Sequence, residues 1–150
     1  MKVGIIIVFD TSHDEILHTN IIDTLKELSE ICFCLVNNNC PEALSDTLTD
    51  ISYECGNATV IHIKMNNGNS QAVRAGARYM NNQFNFKFLG YVVDLKKDKM
   101  IDAIKLFAKN YEDIQLREFN NQSNRLLKQT FFKKTFSISN YYKEMNFELD

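Results

Sequence analysis

The stretch KVGIIIVFD, residues 2–10, decides the fold of this chain. Its apolar run, Val3–Phe9, is rich in β-branched side chains and shows no alternation with polar residues. A continuous run of this kind is typical of a strand that is buried on both faces of a parallel sheet. We therefore predict an α/β protein with a mainly parallel sheet, in which this strand is buried on both faces.

Working outward from that strand, strand patterns and helical patterns alternate along the chain. Further strands are predicted at Ile31–Val36, Thr59–Ile63 and Phe86–Val93, and a half-exposed strand around Ile114 and Leu116. Helix starts are indicated by the capping box of Ser12 and Glu15, by Pro41 and by Asp98. Apolar positions at helical spacing are Leu17, Ile21, Leu25, Leu28, Leu44, Leu48, Ile51, Val73, Ala77, Met80, Ile101, Ile104 and Phe107. This order predicts a three-layer α/β/α sandwich around a mainly parallel sheet, with right-handed crossovers.

Length and composition limit the possible classes of protein. The chain has 150 residues, 45% hydrophobic and 24% charged, and a net charge of -2, as expected of one globular domain over residues 1–150. Val3–Phe9 is too short to cross a bilayer, and no signal-peptide cleavage site follows it. The four cysteines lack the spacing of a zinc site, so we expect buried thiols and a cytoplasmic protein.

Short polar residues or glycine follow each of the first four predicted strands. These residues are Asp10–Ser12, Asn37–Asn39, Asn66–Gly68 and Asp94. Ligands of open α/β sheets bind beyond the carboxyl ends of the strands, so the four turns predict one composite site. The alternative is ordinary loop polarity in a chain rich in asparagine.

Several of these segments resemble family-2 glycosyltransferases of the GT-A fold. NNGNSQAVRAG, residues 66–76, resembles the N-x-G-x-x-x-A-x-N/R-x-G stretch of that family, and VNNNCP, residues 36–41, resembles its turn after the second strand. Val8–Asp10 stands where the family has the end of its first strand, and Leu89–Asp94 resembles the strand that leads into the D-x-D motif. The resemblance covers residues 1–110, the nucleotide-sugar-binding half. Residues 111–150 would form a terminal strand and a basic aromatic segment.

The resemblance implies a set of residues that bind a nucleotide diphosphate sugar. Asn37 or Asn38 would hold the base through amide donors and acceptors. Arg74 would face the diphosphate or hold the Asp94 loop, and Asp94 would bind Mg²⁺ or Mn²⁺. The small residues Gly68, Ala72 and Gly76 would let the third helix approach the ligand. The full set is Phe9, Asp10, Asn37, Asn38, Asn67, Gly68, Arg74 and Asp94.

The sequence also departs from the family pattern. The D-x-D motif reads Asp94-Leu95-Lys96, so a cation replaces the second carboxylate, and Lys96 or Lys97 could neutralise a diphosphate without metal. Asn37 stands where an aspartate is usual. We expect 150 residues to be too few for the acceptor-binding half, and we identify no general base.

Two functions therefore follow from the sequence. The first is a glycosyltransferase that moves the sugar to a polysaccharide or a lipid-linked acceptor. The alternative is a non-catalytic GT-A-like module that binds a nucleotide or a partner and completes its site with another chain, in a homo-oligomer or otherwise.

The last part of the chain has a charge pattern of its own. Between Arg125 and Lys143 there are five cations and no acid, interleaved with Phe131, Phe132, Phe136, Tyr141 and Tyr142. The favoured interpretation is a helix that packs its aromatic side chains against the sheet while its lysines face water. An anionic membrane surface or a polyprenyl-phosphate acceptor is the other interpretation, with a peripheral position at the membrane. Nucleic acid is not expected as a partner.

Overall fold

The computed structural model describes residues 2–10, 18–65, 67–123 and 135–149. Its elements alternate strictly between strand and helix along the chain. They are β1 Lys2–Phe9, α1 His18–Glu27, β2 Ile31–Asn38, α2 Glu42–Glu54, β3 Ala58–Ile63, α3 Asn69–Gln83, β4 Phe86–Val92, α4 Lys97–Ser123, β5 Thr135–Ser137 and α5 Ile138–Leu149. The capping box at Ser12 and Glu15 and the aromatic residues Phe131 and Phe132 lie outside the described residues.

The five strands form one parallel sheet in the order β3-β2-β1-β4-β5. β1 lies at the centre, with Val3 paired to Ile31 on one side and to Phe88 on the other. Ile5, Ile6, Ile7, Val8 and Phe9 are all at most 1% exposed. The α/β class, the parallel sheet and the burial of the first strand are confirmed.

Helices cover both faces of the sheet. One face carries α3, whose Ala72, Val73, Ala77 and Met80 pack on Ile6, Val8, Cys34 and Val36; we call it the α3 face. The opposite face, the α1 face, carries side chains of α1, α2, α4 and α5 against Ile5, Ile7, Phe33 and Leu35. Because successive side chains of a strand point to opposite faces, β1 and β2 each contribute to both cores.

The face on which α4 packs differs from the one expected of the predicted right-handed crossovers. From β4 to β5 the chain moves across the sheet in the same direction as from β3 to β4. A right-handed connection would therefore place α4 on the α3 face, beside α3. Instead, Ile104 and Phe107 of α4 pack on the α1 face, where the Phe107 ring stacks on Phe88 at 5.6 Å. Part of this connection, residues 124–134, lies outside the described residues.

The predicted strand around Ile114 and Leu116 is wrong, because α4 continues through this segment as a 27-residue helix. Ile104, Phe107, Tyr111 and Ile114 all pack against the α1-face core. Their intervals of three, four and three residues follow the helical period, which outweighs the short alternation at 114–116.

The C-terminal elements pack against the α1 face. Phe136 contacts the rings of Phe88 and Phe107, with centroids 5.6 and 6.3 Å apart, and Tyr141 contacts Phe136. Lys143 is exposed. In the described part, the aromatic side chains pack and Lys143 faces water, as the favoured interpretation expects, but Phe136 lies in the strand β5 and not in a helix. Within the ranges given above, no helix combines the length and the apolar content needed to cross a membrane.

Candidate functional site

The carboxyl ends of all five strands meet at one edge of the sheet. Chain order reverses between β1 and β4, since β1 leads to β2 and β3 on one side while β4 leads to β5 on the other. Ligands of open α/β sheets bind in the crevice at such a switch point. Asp10, Asn38 and Asp94 lie at or just beyond the carboxyl ends of β1, β2 and β4. The helix α3 begins at the same edge of the sheet.

The Asn37 side chain makes its hydrogen bonds within the protein, in and around the turn that follows β2. Its Oδ1 accepts a 2.9 Å hydrogen bond from the Cys40 backbone N–H, three residues further along the turn that follows β2. Its Nδ2 donates to Ser45 Oγ at 2.9 Å and lies 3.0 Å from His62 Nδ1, which accepts when that nitrogen carries no proton. The amide uses its donors and its acceptor within the protein, so Asn37 shapes the turn that follows β2.

Asn38 has the opposite environment. It is 1% exposed, and neither its Oδ1 nor its Nδ2 has a hydrogen-bond partner among the described residues. A buried polar group left in this state costs about 1–3 kcal/mol. Strand alternation from Cys34 and Val36 directs the Asn38 side chain to the α3 face. Of the two asparagines that the sequence nominates for a base, Asn38 is the one with free hydrogen-bonding capacity.

The turn after β2 is tied to the end of β1. The Cys40 thiol donates to the Phe9 carbonyl oxygen at 3.1 Å. Burial raises the pKa of Cys40 to about 11; a backbone hydrogen bond with Asn38 acts in the opposite direction, and the Asp10 charge adds a smaller increase. The thiol therefore stays protonated near neutral pH and acts as a donor. The Phe9 side chain is fully buried in the α1-face core, so Phe9 offers a ligand only its backbone.

The start of α3 and the end of β4 are joined by a side-chain hydrogen bond. Asn69 Nδ2 donates to Asp94 Oδ1 at 2.9 Å. Gly68 precedes the helix with φ 98°, a backbone conformation that favours glycine, and no side chain caps the helix there. Such a helix end carries a partial positive charge that favours anions. Ala72 and Gly76, in contrast, are buried and face the sheet rather than a ligand.

A groove of about 370 Å³ lies beside α3 on the α3 face, above the carboxyl-terminal half of β4. Its volume is within the range of small-molecule sites. Both α3 and the strands β4 and β5 contribute polar and apolar side chains to its lining. The lining residues are Asn69, Ser70, Val73, Arg74, Tyr91, Val93 and Thr135.

The structure brings some of the nominated residues together. Arg74 lines the groove, and Asp94 reaches it through Asn69. Asn67 and Gly68 are exposed just before α3. The residue set predicted from the sequence omits two lining residues, Tyr91 and Thr135. Tyr91 could have been included, because strand alternation places it on the same face as Leu89 and Val93. Nothing near Thr135 in the sequence indicates its position.

The comparisons with known proteins leave the family open. No protein-family model and no curated protein matches this chain. The glycosyltransferase interpretation therefore depends on the motifs and the site geometry.

The described residues do not make a complete metal site. Among them, no three His, Cys, Asp or Glu side chains group closely enough to hold an ion. Asp94 is a single carboxylate, one of whose oxygens accepts from Asn69, and Lys96 follows two residues later. Mg²⁺ often takes one carboxylate together with substrate phosphates. Binding of Mg²⁺ or Mn²⁺ at Asp94 thus stays a prediction that depends on the diphosphate.

Proposed function

We propose that this protein binds a nucleotide diphosphate sugar at the carboxyl edge of its sheet, as a GT-A-like, family-2 glycosyltransferase-like protein. The observation that carries the proposal is Asn38, a buried amide without a described partner at the carboxyl end of β2, the strand next to β1. Natural proteins rarely leave such a group unpaired, and functional sites are where they do.

The planar edge of a nucleobase is a suitable partner for Asn38. An amide presents two N–H donors and one carbonyl acceptor in a plane, and a pyrimidine or purine edge presents complementary groups. Because Asn38 is 1% exposed, a base reaches it only when the residues that cover it move; the base would then replace the missing hydrogen bonds and recover part of the cost of burying the amide.

The diphosphate suits the surface around the start of α3. Arg74 and Arg78 are exposed on α3, which carries no acidic residue, and Lys64 and Lys96 are exposed near its N-terminal end. A guanidinium presents paired donors to phosphate oxygens, and the helix end adds its partial charge. The groove beside Arg74 would then take the sugar, with Ser70 and Thr135 as hydroxyl partners and Tyr91 as an apolar wall.

The second half of the proposal is transfer of the sugar to an acceptor. An acceptor hydroxyl needs a base within hydrogen-bond reach. Asp94 is the carboxylate that the described structure brings to the groove, and it is engaged by Asn69. The proposed acceptor is a polysaccharide or a lipid-linked glycan, in the cytoplasm or at its membrane surface. The alternative, a non-catalytic binding module completed by a second copy or another chain, is favoured by Lys96 at the position of the second motif carboxylate.

Calorimetric titration tests the proposal directly. UDP, GDP, CDP and dTDP, and then their sugar conjugates, are titrated with Mn²⁺ and with EDTA. We expect one nucleotide to bind in the micromolar range and the Asn38→Leu variant to lose that binding. Asn81→Ala is the matched control, because Asn81 lies at the far end of α3 and donates only to the Ala77 carbonyl.

Two outcomes would overturn parts of the proposal. Absence of binding at millimolar concentration for all four nucleotides would refute it entirely. Binding that is equally tight in Asn38→Leu would refute the role of Asn38. Release of free sugar or its transfer to added acceptor separates the enzyme from the binding module.

A further inference from the structure

The end of β4 is held by a hydroxyl group where strand pairing stops. β5 pairs with β4 only from Leu89↔Thr135 to Tyr91↔Ser137, and the chain then turns into α5 at Ile138. Beyond that point, the side chain of Ser139 makes hydrogen bonds to the backbone of Val93. The Val93 N–H donates to Ser139 Oγ at 2.9 Å, and the Ser139 hydroxyl donates to the Val93 carbonyl oxygen at 2.8 Å.

The first turn of α5 packs directly against β4. Ser139 is 2% exposed, and Ile138 is fully buried. Gly90 makes this close approach possible, since a Cβ at that position would lie 2.5 Å from Ile138 Cδ1. The Ser139 hydroxyl therefore occupies a fixed, water-poor position, where a hydrogen bond is stronger than at the surface.

Val93 directly precedes Asp94, whose backbone is strained. Asp94 has φ 57°, in the left-handed region that residues other than glycine seldom adopt. Such conformations persist where surrounding contacts determine them, and they cluster at functional sites. Here the Ser139 clamp holds the backbone just before Asp94, and Asn69 holds its carboxylate.

We infer that Ser139 is a positioning residue that sets the backbone of Asp94, so that the C-terminal segment 135–149 is a working part of the ligand site. The same segment supplies Thr135 to the wall of the groove. This inference rests on the proposed function for the ligand, and on the described contacts for the clamp itself.

The clamp is tested without any ligand by amide hydrogen exchange. In Ser139→Ala we expect the Val93 and Asp94 amides to exchange at least tenfold faster, and Ser139→Thr, which keeps the hydroxyl, to restore protection. Ser52→Ala is the matched control, because Ser52 also donates to a backbone oxygen, that of Thr49, but in α2. Unchanged exchange at Val93 and Asp94 in Ser139→Ala would overturn the inference.

The effect on the ligand is tested by a double-mutant cycle with UDP, or with whichever of the four nucleotides binds most tightly. We expect Ser139→Ala to weaken binding at least fivefold in the native background, and not further in Asp94→Ala, because Ser139 acts through Asp94. Equal losses in both backgrounds would show a merely structural role. If the native protein binds no nucleotide, the proposed function fails, while the exchange experiment still decides whether Ser139 positions Asp94.

Discussion

Asn69 and Asp94 are joined by a 2.9 Å hydrogen bond from the Asn69 amide to the Asp94 carboxylate, across 25 residues of sequence. The bond connects the first residue of α3 to the loop that follows β4. The bond lies at the carboxyl edge of the sheet, beside β4, which is one of the two strands between which chain order reverses. The two segments that the motifs nominate for the diphosphate are therefore in direct contact.

The first prediction concerns this bond. Asn69→Ala removes the donor and frees the Asp94 carboxylate, so we expect nucleotide affinity to fall about three- to tenfold, equivalent to about 0.7–1.4 kcal/mol. Because both side chains are near the surface, the midpoint of urea unfolding should change little. Calorimetry and urea titration give the two values. An affinity loss matched by Asn81→Ala at the far end of α3 would contradict this role of Asn69.

Much of the fold could be predicted because its signals are local. Burial of the central part of β1 follows from the unbroken apolar run Val3–Phe9. Burial of one face of α3 follows from the helical spacing of Val73, Ala77 and Met80. The side of the sheet on which α4 packs could not be predicted. It depends on contacts between Phe107 and Phe88, which are distant in space until the chain has folded.

The site could be predicted only at the level of its turns. Asn37 and Asn38 are adjacent residues of the same type, so the sequence cannot distinguish their roles. In the folded protein His62, Ser45 and the Cys40 N–H surround Asn37 and make hydrogen bonds with its amide. The Ser139 clamp on Val93 joins residues 46 positions apart. No pattern of spacing or composition indicates such a pair.

The second prediction is a trade between stability and binding at Asn38. Asn38→Leu replaces an unpartnered buried amide with an apolar side chain of similar size. We expect the free energy of unfolding to rise by about 1–3 kcal/mol, since the desolvation cost disappears, while nucleotide binding is lost. Urea unfolding and calorimetry on the same preparation measure both. A destabilised variant would show that Asn38 already has a partner within the protein.

The third prediction concerns an asparagine with the reverse role. Asn57 Nδ2 reaches three backbone oxygens, those of Leu25, Leu28 and Ile31, at 3.0–3.1 Å, and so joins the end of α1 to the start of β2. Asn57→Ala leaves these partly buried acceptors without their donor, so we expect a loss of about 1–3 kcal/mol in unfolding free energy. Nucleotide affinity should be unchanged. Thermal and urea unfolding measure the loss, and a neutral result would mean that water replaces the amide at no cost.

The fourth prediction uses two glycines that differ in their surroundings. A Cβ on Gly76 would lie 2.7 Å from Ile6 Cγ2 and 3.1 Å from Val36 Cγ2, whereas a Cβ on Gly56 would meet nothing within 4 Å. Gly76→Ala should therefore force α3 away from the sheet and cost about 1–3 kcal/mol. Gly56→Ala should be neutral or stabilising by up to about 1 kcal/mol. Equal unfolding midpoints for the two variants would contradict the close packing of α3.

The fifth prediction concerns the pH dependence of stability. Burial raises the pKa of the Cys34 thiol from 9.0 to about 12, so the folded protein keeps this proton where the unfolded chain loses it. The stability from the neutral thiol is complete below pH 9 and is lost as pH rises toward 12. At pH 10 the loss from Cys34 should be about 1.4 kcal/mol, one pH unit above the unfolded value. Urea unfolding at pH 8 and pH 10 measures it.

Cys34→Ala isolates this effect from other groups that titrate in the same range. The variant leaves a small cavity and should be destabilised at both pH values. Its decrease in stability between pH 8 and pH 10 should be smaller than that of the native protein by about the 1.4 kcal/mol assigned to Cys34. If both proteins lose the same free energy over this interval, the Cys34 thiol ionises as readily in the folded protein as in the unfolded chain. The strand β2 would then admit water beneath α3, and the buried environment assigned to the neighbouring Asn38 would be wrong as well.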